Sequence, residues 1–186
     1  MKKTAVLLAA LLAASAALAQ TVKLQTSEGD IRIELDAQKA PKTVANFLQY
    51  VKAGHYNGTV FHRVIDGFMI QGGGFDAKLV QKPTKAPIPL ESHNGLSNLR
   101  GTIAMARTAV PNSATSQFFI NVADNPRLDG EAENPTSGYA VFGKVIDGMD
   151  VVDKIRAAEV TNQGMHQNVP VKPITITKAL IEPVKK

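Results

Sequence analysis

The chain has 186 residues, 44% of them hydrophobic and 20% charged, a balance too apolar for a disordered polypeptide and a length suited to one domain with a real core. The formal net charge is +5, yet no basic block with interleaved aromatics accompanies it, so a nucleic-acid partner is not expected. Cysteine is absent, which excludes disulfides, thiolate metal sites, cysteine nucleophiles and cysteine-linked lipid anchors together.

The first residues read as an export signal. Met1-Lys2-Lys3 is a short positive start, residues 4–18 form an uncharged apolar run, and Ala17-Leu18-Ala19 is the small-x-small pattern that signal peptidase reads. The run falls short of the roughly 20 residues that a membrane-spanning helix needs. Residues 1–19 are therefore expected to be cleaved, leaving one domain over residues 20–186 with no stable membrane insertion. Loss of Lys2 and Lys3 takes the charge from +5 to +3. Export without cysteine suits a bacterial periplasm, where a chain of this size folds without staples.

Residues 22–35 read as two short strands around Thr26-Ser27-Glu28-Gly29, because Ile31, Ile33 and Leu35 alternate with Asp30, Arg32 and Glu34. A helix is expected next, with Pro41 in its first turn, an apolar stripe of Val44, Phe47, Leu48 and Val51, and Gly54 at its close. Asn57-Gly58 is a turn before the β-branched run Thr59-Val60-Phe61-His62-Arg63-Val64-Ile65. Asp66-Gly67 breaks that strand, Phe68-Met69-Ile70-Gln71 resumes it, and Gly72-Gly73-Gly74 is expected to end it. Pro83, Pro87 and Pro89 mark an extended loop. Strands are expected again at residues 102–106, 116–122 and 139–145. Asp147 is placed to cap a second helix over about residues 149–156, with Met149, Val152 and Ile155 on one face. Ile174-Thr175-Ile176-Thr177 closes the sheet. Many short strands with two helices predict an antiparallel barrel or sandwich plugged by the helices.

Several familiar chemistries have no residues to carry them. His55, His62, His93 and His166 form no pair at metal-ligand spacing. The triple glycine at 72–74 is followed by Phe75 rather than the lysine of a phosphate loop, and no Gly-x-Ser-x-Gly elbow is present. Strand alternation instead puts Met69 with Gln71 on one face, and Gln117 with Phe119 on another. Arg63 lies on a third strand among apolar neighbours. Together these make an apolar pocket rimmed by a guanidinium and two amides. Taken singly, each is an ordinary core or edge residue, and periodicity alone supports only an antiparallel β protein. His62 alternates to the face opposite Arg63 and is read as structural.

The runs themselves are more specific than their spacing. Phe61-His62-Arg63-Val64-Ile65-Asp66-Gly67-Phe68-Met69-Ile70-Gln71-Gly72-Gly73 resembles the signature of the cyclophilin family of peptidyl-prolyl cis–trans isomerases. So do Gly101-Thr102-Ile103-Ala104-Met105-Ala106-Arg107 and Ser116-Gln117-Phe118-Phe119-Ile120, with Leu128-Asp129-Gly130 and Val141-Phe142-Gly143-Lys144-Val145 following in the family's order. The resemblance covers residues 22–181 and, with the export signal, points to the periplasmic bacterial branch. It implies a mainly β fold: an eight-stranded antiparallel β-barrel capped by two α-helices, with a groove on its outer surface. It also implies a monomer that needs no cofactor or metal and acts on proline-containing peptides and unfolded exported proteins.

By position, the resemblance makes Arg63 the catalytic arginine, oriented by Gln71. Phe68, Met69, Phe119 and Leu128 would line a proline pocket, while Gln71, Ala106 and Gln117 would contact the peptide backbone. Alternation puts Phe68 opposite Met69, so its pocket role requires a bend at Gly67. Tyr139 stands at the site's edge where many members carry a histidine. Arg127 stands where many carry an aromatic that contacts cyclosporin. Residues 131–137 read as an extra loop. Two other readings stay open at this point: a binding module that holds proline-containing segments without turnover, and an interaction protein that uses its basic surface.

Overall fold

The structure is a computed structural model and describes residues 20–183; the expected signal peptide, residues 1–19, lies outside the described residues. In chain order the elements are β1 (Gln20–Thr26), β2 (Gly29–Leu35), α1 (Pro41–Lys52), β3 (Thr59–Ile65), β4 (Met69–Asp76), β5 (Thr102–Met105), β6 (Phe118–Asn121), β7 (Val141–Asp147), α2 (Met149–Arg156), β8 (Val160–Gln163), β9 (His166–Pro170) and β10 (Thr175–Ile181). Eight strands close a barrel in the order β1-β10-β3-β4-β6-β5-β7-β2, every pairing antiparallel. The barrel alternative of the sequence reading is therefore correct, and the sandwich is not.

Inward residues follow the alternation. Val22 and Leu24 on β1, and Ile31, Ile33 and Leu35 on β2, are buried in one core with Phe61, Val64, Ile70, Ile103, Phe118, Ile120 and Phe142. Helix α1 contributes Val44, Phe47, Leu48 and Val51 to this core. The Phe47 ring meets Tyr56, Phe118 and Phe142 at centroid distances of 5.1, 5.7 and 5.1 Å, within the range where aromatic pairs attract beyond their area burial. Ala40 offers the helix no side-chain cap. The carboxylate of Glu91, from the proline-rich loop, takes over: it accepts from the Lys42 and Thr43 amides at 3.1 and 2.8 Å, and from Thr43 Oγ1 at 2.7 Å. A negative charge at a helix N-terminus also complements the macrodipole.

Three expectations need correction. Strand β4 does not stop at Gly72-Gly73-Gly74 but runs through it to Asp76. The glycines are there for space: a Cβ on Gly73 would sit 2.8 Å from the Tyr56 ring and 2.9 Å from Phe118, and Gly73 has φ of +87°. A strand that passes this close to buried rings tolerates no side chain. Second, Asp147 does not cap α2. It is the last residue of β7, and the N-cap is Gly148 at φ +89°, where a Cβ would strike the Asp30 carbonyl.

Third, the alternation that set His62 opposite Arg63 fails locally. The β3–β4 register slips by one residue between Phe61 and Arg63, the signature of a bulge that re-aims side chains. His62 and Arg63 consequently line one cavity of about 240 Å³ with Met165, His166 and Gln167. The hairpin supplying the last three residues, β8–β9, is a separate two-stranded sheet that packs on β3 and was not expected from the sequence.

Candidate active site

A second apolar cluster lies outside the barrel core. Met69, Ala104, Phe119 and Val141 are its buried floor, and Ile65, Phe68, Leu96, Ala106, Leu128 and Tyr139 pack around them half-buried. These floor residues are the outward positions of β4, β5, β6 and β7, so the alternation that fills the core also builds the groove. Cross-strand pairing fixes the neighbours: Arg63 stands opposite Gln71, Gln71 opposite Phe119, and Ala104 opposite Phe119. Met69 and Phe119 are only 2% and 4% exposed, so the floor is essentially dry.

A polar line runs along one edge of the floor. Arg63 Nη1 donates to Gln71 Oε1 over a long 3.5 Å, and Gln71 Nε2 donates to Gln117 Oε1 at 2.9 Å. The Gln117 backbone carbonyl in turn accepts from the Ala106 amide at 3.0 Å. Arg63 has no salt-bridge partner among the described residues. Its guanidinium is therefore held in direction through one weak contact while most of its donors stay uncommitted.

The opposite wall comes from loops. Gly67, at φ +70°, turns the chain so that Phe68 precedes β4 instead of belonging to it. Strand alternation with Met69 does not apply, and Phe68 packs into the groove cluster. Leu128 ends a short 3₁₀ turn, Pro126–Leu128, and its carbonyl accepts from the Tyr139 amide at 2.9 Å. The Tyr139 ring meets Phe119 edge-on at 5.6 Å. Two guanidiniums lie over this wall, Arg127 at 5.0 Å from the Phe68 ring and Arg107 at 5.0 Å from the Tyr139 ring. The loop at residues 131–137 is tied down by Ser92 Oγ to the Ser137 carbonyl at 2.6 Å and by Arg107 Nη2 to the Thr136 carbonyl at 3.2 Å.

All nine sequence-derived positions thus gather on one outer face: Arg63, Gln71, Phe68, Met69, Ala106, Gln117, Phe119, Leu128 and Tyr139. The geometry provides an apolar groove with a buried floor, edged by Arg63 on the strand side and overlain by Arg107 and Arg127 on the loop side.

The comparisons with known proteins agree. The sequence profile described as cyclophilin type peptidyl-prolyl cis-trans isomerase/CLD matches residues 21–181. The chain belongs to the cyclophilins. It is 55% identical over 185 residues to a peptidyl-prolyl cis-trans isomerase of Acinetobacter baylyi, covering 99% of this chain and 97% of that one. It is 54% identical over 161 residues to peptidyl-prolyl cis-trans isomerase B of Escherichia coli, covering 86% and 98%. A crystal structure of a Cryptosporidium parvum cyclophilin, 30% identical, superposes with a TM-score of 0.74 over 89% of this chain and 98% of its own. A second structure of that parasite protein was determined in the presence of the dipeptide Ala-Pro, with a TM-score of 0.73 over 88% of this chain and 99% of that one. This cyclophilin is a peptidyl-prolyl cis–trans isomerase.

Sequence reasoning missed part of the cyclophilin groove. Leu96 reaches the floor from the long loop, where no periodicity marks it. Ala104 and Val141 are legible as outward positions once their strands pair. His62 and His166, far apart in sequence, come to 6.4 Å with Phe75 against both, at 4.6 and 4.9 Å. Burial, and after it the neighbouring His166, pushes the His62 pKa down to about 4. A larger cavity of about 610 Å³ lies over β2 and β7, lined by Glu34, Asp36, Leu99 and Lys144 among others. It shares only Leu96 and Val141 with the groove and brings no catalytic group to it.

Proposed function

We propose that this cyclophilin accelerates Xaa-Pro isomerisation in unfolded proteins exported to a bacterial periplasm, acting as a monomer with Arg63 as its catalytic residue. The observation that carries the catalytic assignment is the guanidinium of Arg63 poised beside Gln71 at the edge of the dry floor of Met69 and Phe119. The export pattern in residues 1–19 supports the compartment.

The reaction demands little chemistry. Amide resonance gives the Xaa-Pro bond double-bond character and a barrier of about 18–20 kcal/mol, so uncatalysed exchange takes roughly tens to hundreds of seconds. Catalysis requires only that the twisted amide bind better than either planar form. As resonance is lost, the prolyl nitrogen becomes pyramidal and regains a lone pair. An N–H of Arg63 donating to that lone pair stabilises the twisted state selectively, because the planar amide has no lone pair to offer. Phe68, Met69, Phe119 and Leu128 clamp the ring so that the acyl side rotates against it, and their apolar surfaces keep water from competing for the guanidinium. Gln71 orients Arg63 and, with Ala106 and Gln117, holds the peptide backbone. A lysine at position 63 lacks the planar fork that spans Gln71 and the prolyl nitrogen together.

Two-dimensional exchange NMR on an Ala-Pro peptide tests the reading. Wild type is expected to bring cis and trans into fast exchange, and Arg63→Ala to lose that effect while staying folded. Exchange unchanged in the variant sinks the role of Arg63. For the compartment, cell fractionation with N-terminal sequencing is expected to recover a chain that starts at Gln20; a cytosolic chain that retains Met1 overturns the export reading.

A further inference from the structure

The two walls of the groove are held by different means, and one of them depends on three buried asparagines. Asn98, Asn121 and Asn125 are buried, Asn98 and Asn121 completely, and their amides form a chain with one direction. Asn125 Nδ2 donates to Asn121 Oδ1 at 2.8 Å, and Asn121 Nδ2 donates to Asn98 Oδ1 at 3.2 Å and Thr102 Oγ1 at 2.9 Å. Asn98 Nδ2 then donates to Asp129 Oδ1 at 2.9 Å. The Asp129 carboxylate also accepts from the Asn98 amide at 2.7 Å and, through its other oxygen, from Ser97 Oγ. Burial works to raise the pKa of Asp129, but the hydrogen bonds from Ser97 and Asn98 outweigh it and hold the carboxyl below its usual range. The chain therefore ends on an anion.

Two of the three amides, those of Asn98 and Asn125, also grip backbone: beyond the Ala123 carbonyl, which Asn125 Nδ2 reaches at 3.1 Å, the carbonyls gripped belong to the loop wall. Asn125 Nδ2 donates to the Phe68 carbonyl at 2.9 Å. Asn98 Nδ2 reaches the Leu128 carbonyl at 3.1 Å and the Tyr139 carbonyl at 3.4 Å. Phe68, Leu128 and Tyr139 are groove residues that no strand of the barrel carries. A hydrophobic contact has no direction of its own and cannot set a loop to a fraction of an ångström, whereas a buried amide between fixed acceptors can.

We propose that Asn98, Asn121 and Asn125, anchored on Asp129, are positioning residues of the isomerase: they set the width of the proline pocket by fixing the Phe68, Leu128 and Tyr139 segments against the strand-held floor. The inference rests on the groove being the proline site, as proposed above. Because the pocket clamps the ring in planar and twisted states alike, loosening it weakens uniform binding, which appears in KM and not in kcat. Arg63 acts on the twisted state alone and appears in kcat.

The test is Asn125→Asp, which keeps the side chain's shape but puts an acceptor where the donor to Phe68 stood. KM for an Ala-Pro peptide is expected to rise about fivefold to tenfold, the scale of one lost buried hydrogen bond, with kcat within about twofold. Combined with Phe68→Ala, it should add nothing to the KM of Phe68→Ala alone; combined with Arg63→Ala, the two effects should multiply. Ser97→Ala, a gentler change at the anion end, is expected to raise KM about twofold to threefold and serves if Asn125→Asp does not fold. Val44→Ala in α1 is the control for simple destabilisation, with a lowered Tm and wild-type constants for its folded molecules. Kinetic constants of Asn125→Asp and Ser97→Ala that follow this control pattern overturn the proposal, as does a KM effect that multiplies with Phe68→Ala. Peptide Kd from NMR titration separates this from the isomerase reading. A wild type that binds Ala-Pro without turnover sinks catalysis, while the Kd ratio of variant to wild type still decides the network.

Discussion

One side of the groove is made of strands and the other of loops, and the two are stabilised by different physics. Met69, Gln71 and Phe119 sit on β4 and beside it on β6, where ladder hydrogen bonds and cross-strand packing fix them as by-products of closing the barrel. Phe68, Leu128 and Tyr139 sit outside the strands and are held by side-chain amides that donate to their carbonyls and by single backbone bonds, Val122 N–H to the Phe68 carbonyl and Tyr139 N–H to the Leu128 carbonyl. The strand side is cooperative with the whole fold, so damage there should show in stability as well as activity. The loop side is a local structure, and damage there should show in substrate affinity first.

Substitutions sharpen that contrast. The largest expected effect is Arg63→Ala, a loss of about 10²–10³ in kcat/KM, the range typical for removing one charge-stabilising donor, with an unchanged denaturation midpoint. Arg63→Lys should recover little of it. Phe119→Ala should cost about 3–5 kcal/mol of stability together with activity, read by urea denaturation beside the exchange assay. Leu128→Ala is expected to cost roughly 1 kcal/mol of stability while raising KM severalfold. Equal stability losses for Phe119→Ala and Leu128→Ala would break the distinction between the two walls.

The strand side also carries a pH dependence. His62 is held near a pKa of about 4 in the fold against 6.5 for an ordinary histidine, so the unfolded chain binds its proton first as the pH drops. Its contribution is complete above about pH 6.5 and drains away toward pH 4, by roughly 3 kcal/mol at most. Denaturant midpoints between pH 4 and 7 should fall for wild type and flatten in His62→Phe. Smallest of all is Arg127→Ala. Its guanidinium over the Phe68 ring is exposed and worth about 0.5–1 kcal/mol, so KM should rise by about twofold and the fold should not notice.

The same division explains what the sequence made legible. The strands of the groove floor were readable because period-two alternation and cross-strand pairing are local rules: Met69 with Gln71 and Gln117 with Phe119 came out on shared faces, and β3 came out residue for residue. The loop wall follows no period. Phe68 was assigned to the site by resemblance against its own alternation, and the reason it points inward is the turn at Gly67 just ahead of β4. The asparagine chain joins residues up to 57 positions apart, and nothing in the composition of those segments announces it. Glycine misled in β4 because the residue that usually ends a strand is also the only one that lets a strand pass against Tyr56 and Phe118. The β8–β9 hairpin hid for the opposite reason: β8 is exposed on every residue and has no apolar face to betray it.

Closure of the barrel has a further consequence for a protein whose business is with proline-bearing chains. An extended proline-containing peptide offers unpaired backbone groups, and an open sheet beside it would be a template for uncontrolled strand pairing. Here β1 meets both β2 and β10, so the eight-stranded circuit leaves no unpaired flank within it. A proline-containing peptide therefore meets side chains and a few polar tips at the barrel wall and cannot be zipped onto the barrel itself along its length. Grip of that kind lets go easily, which is what an agent that must visit one bond after another requires.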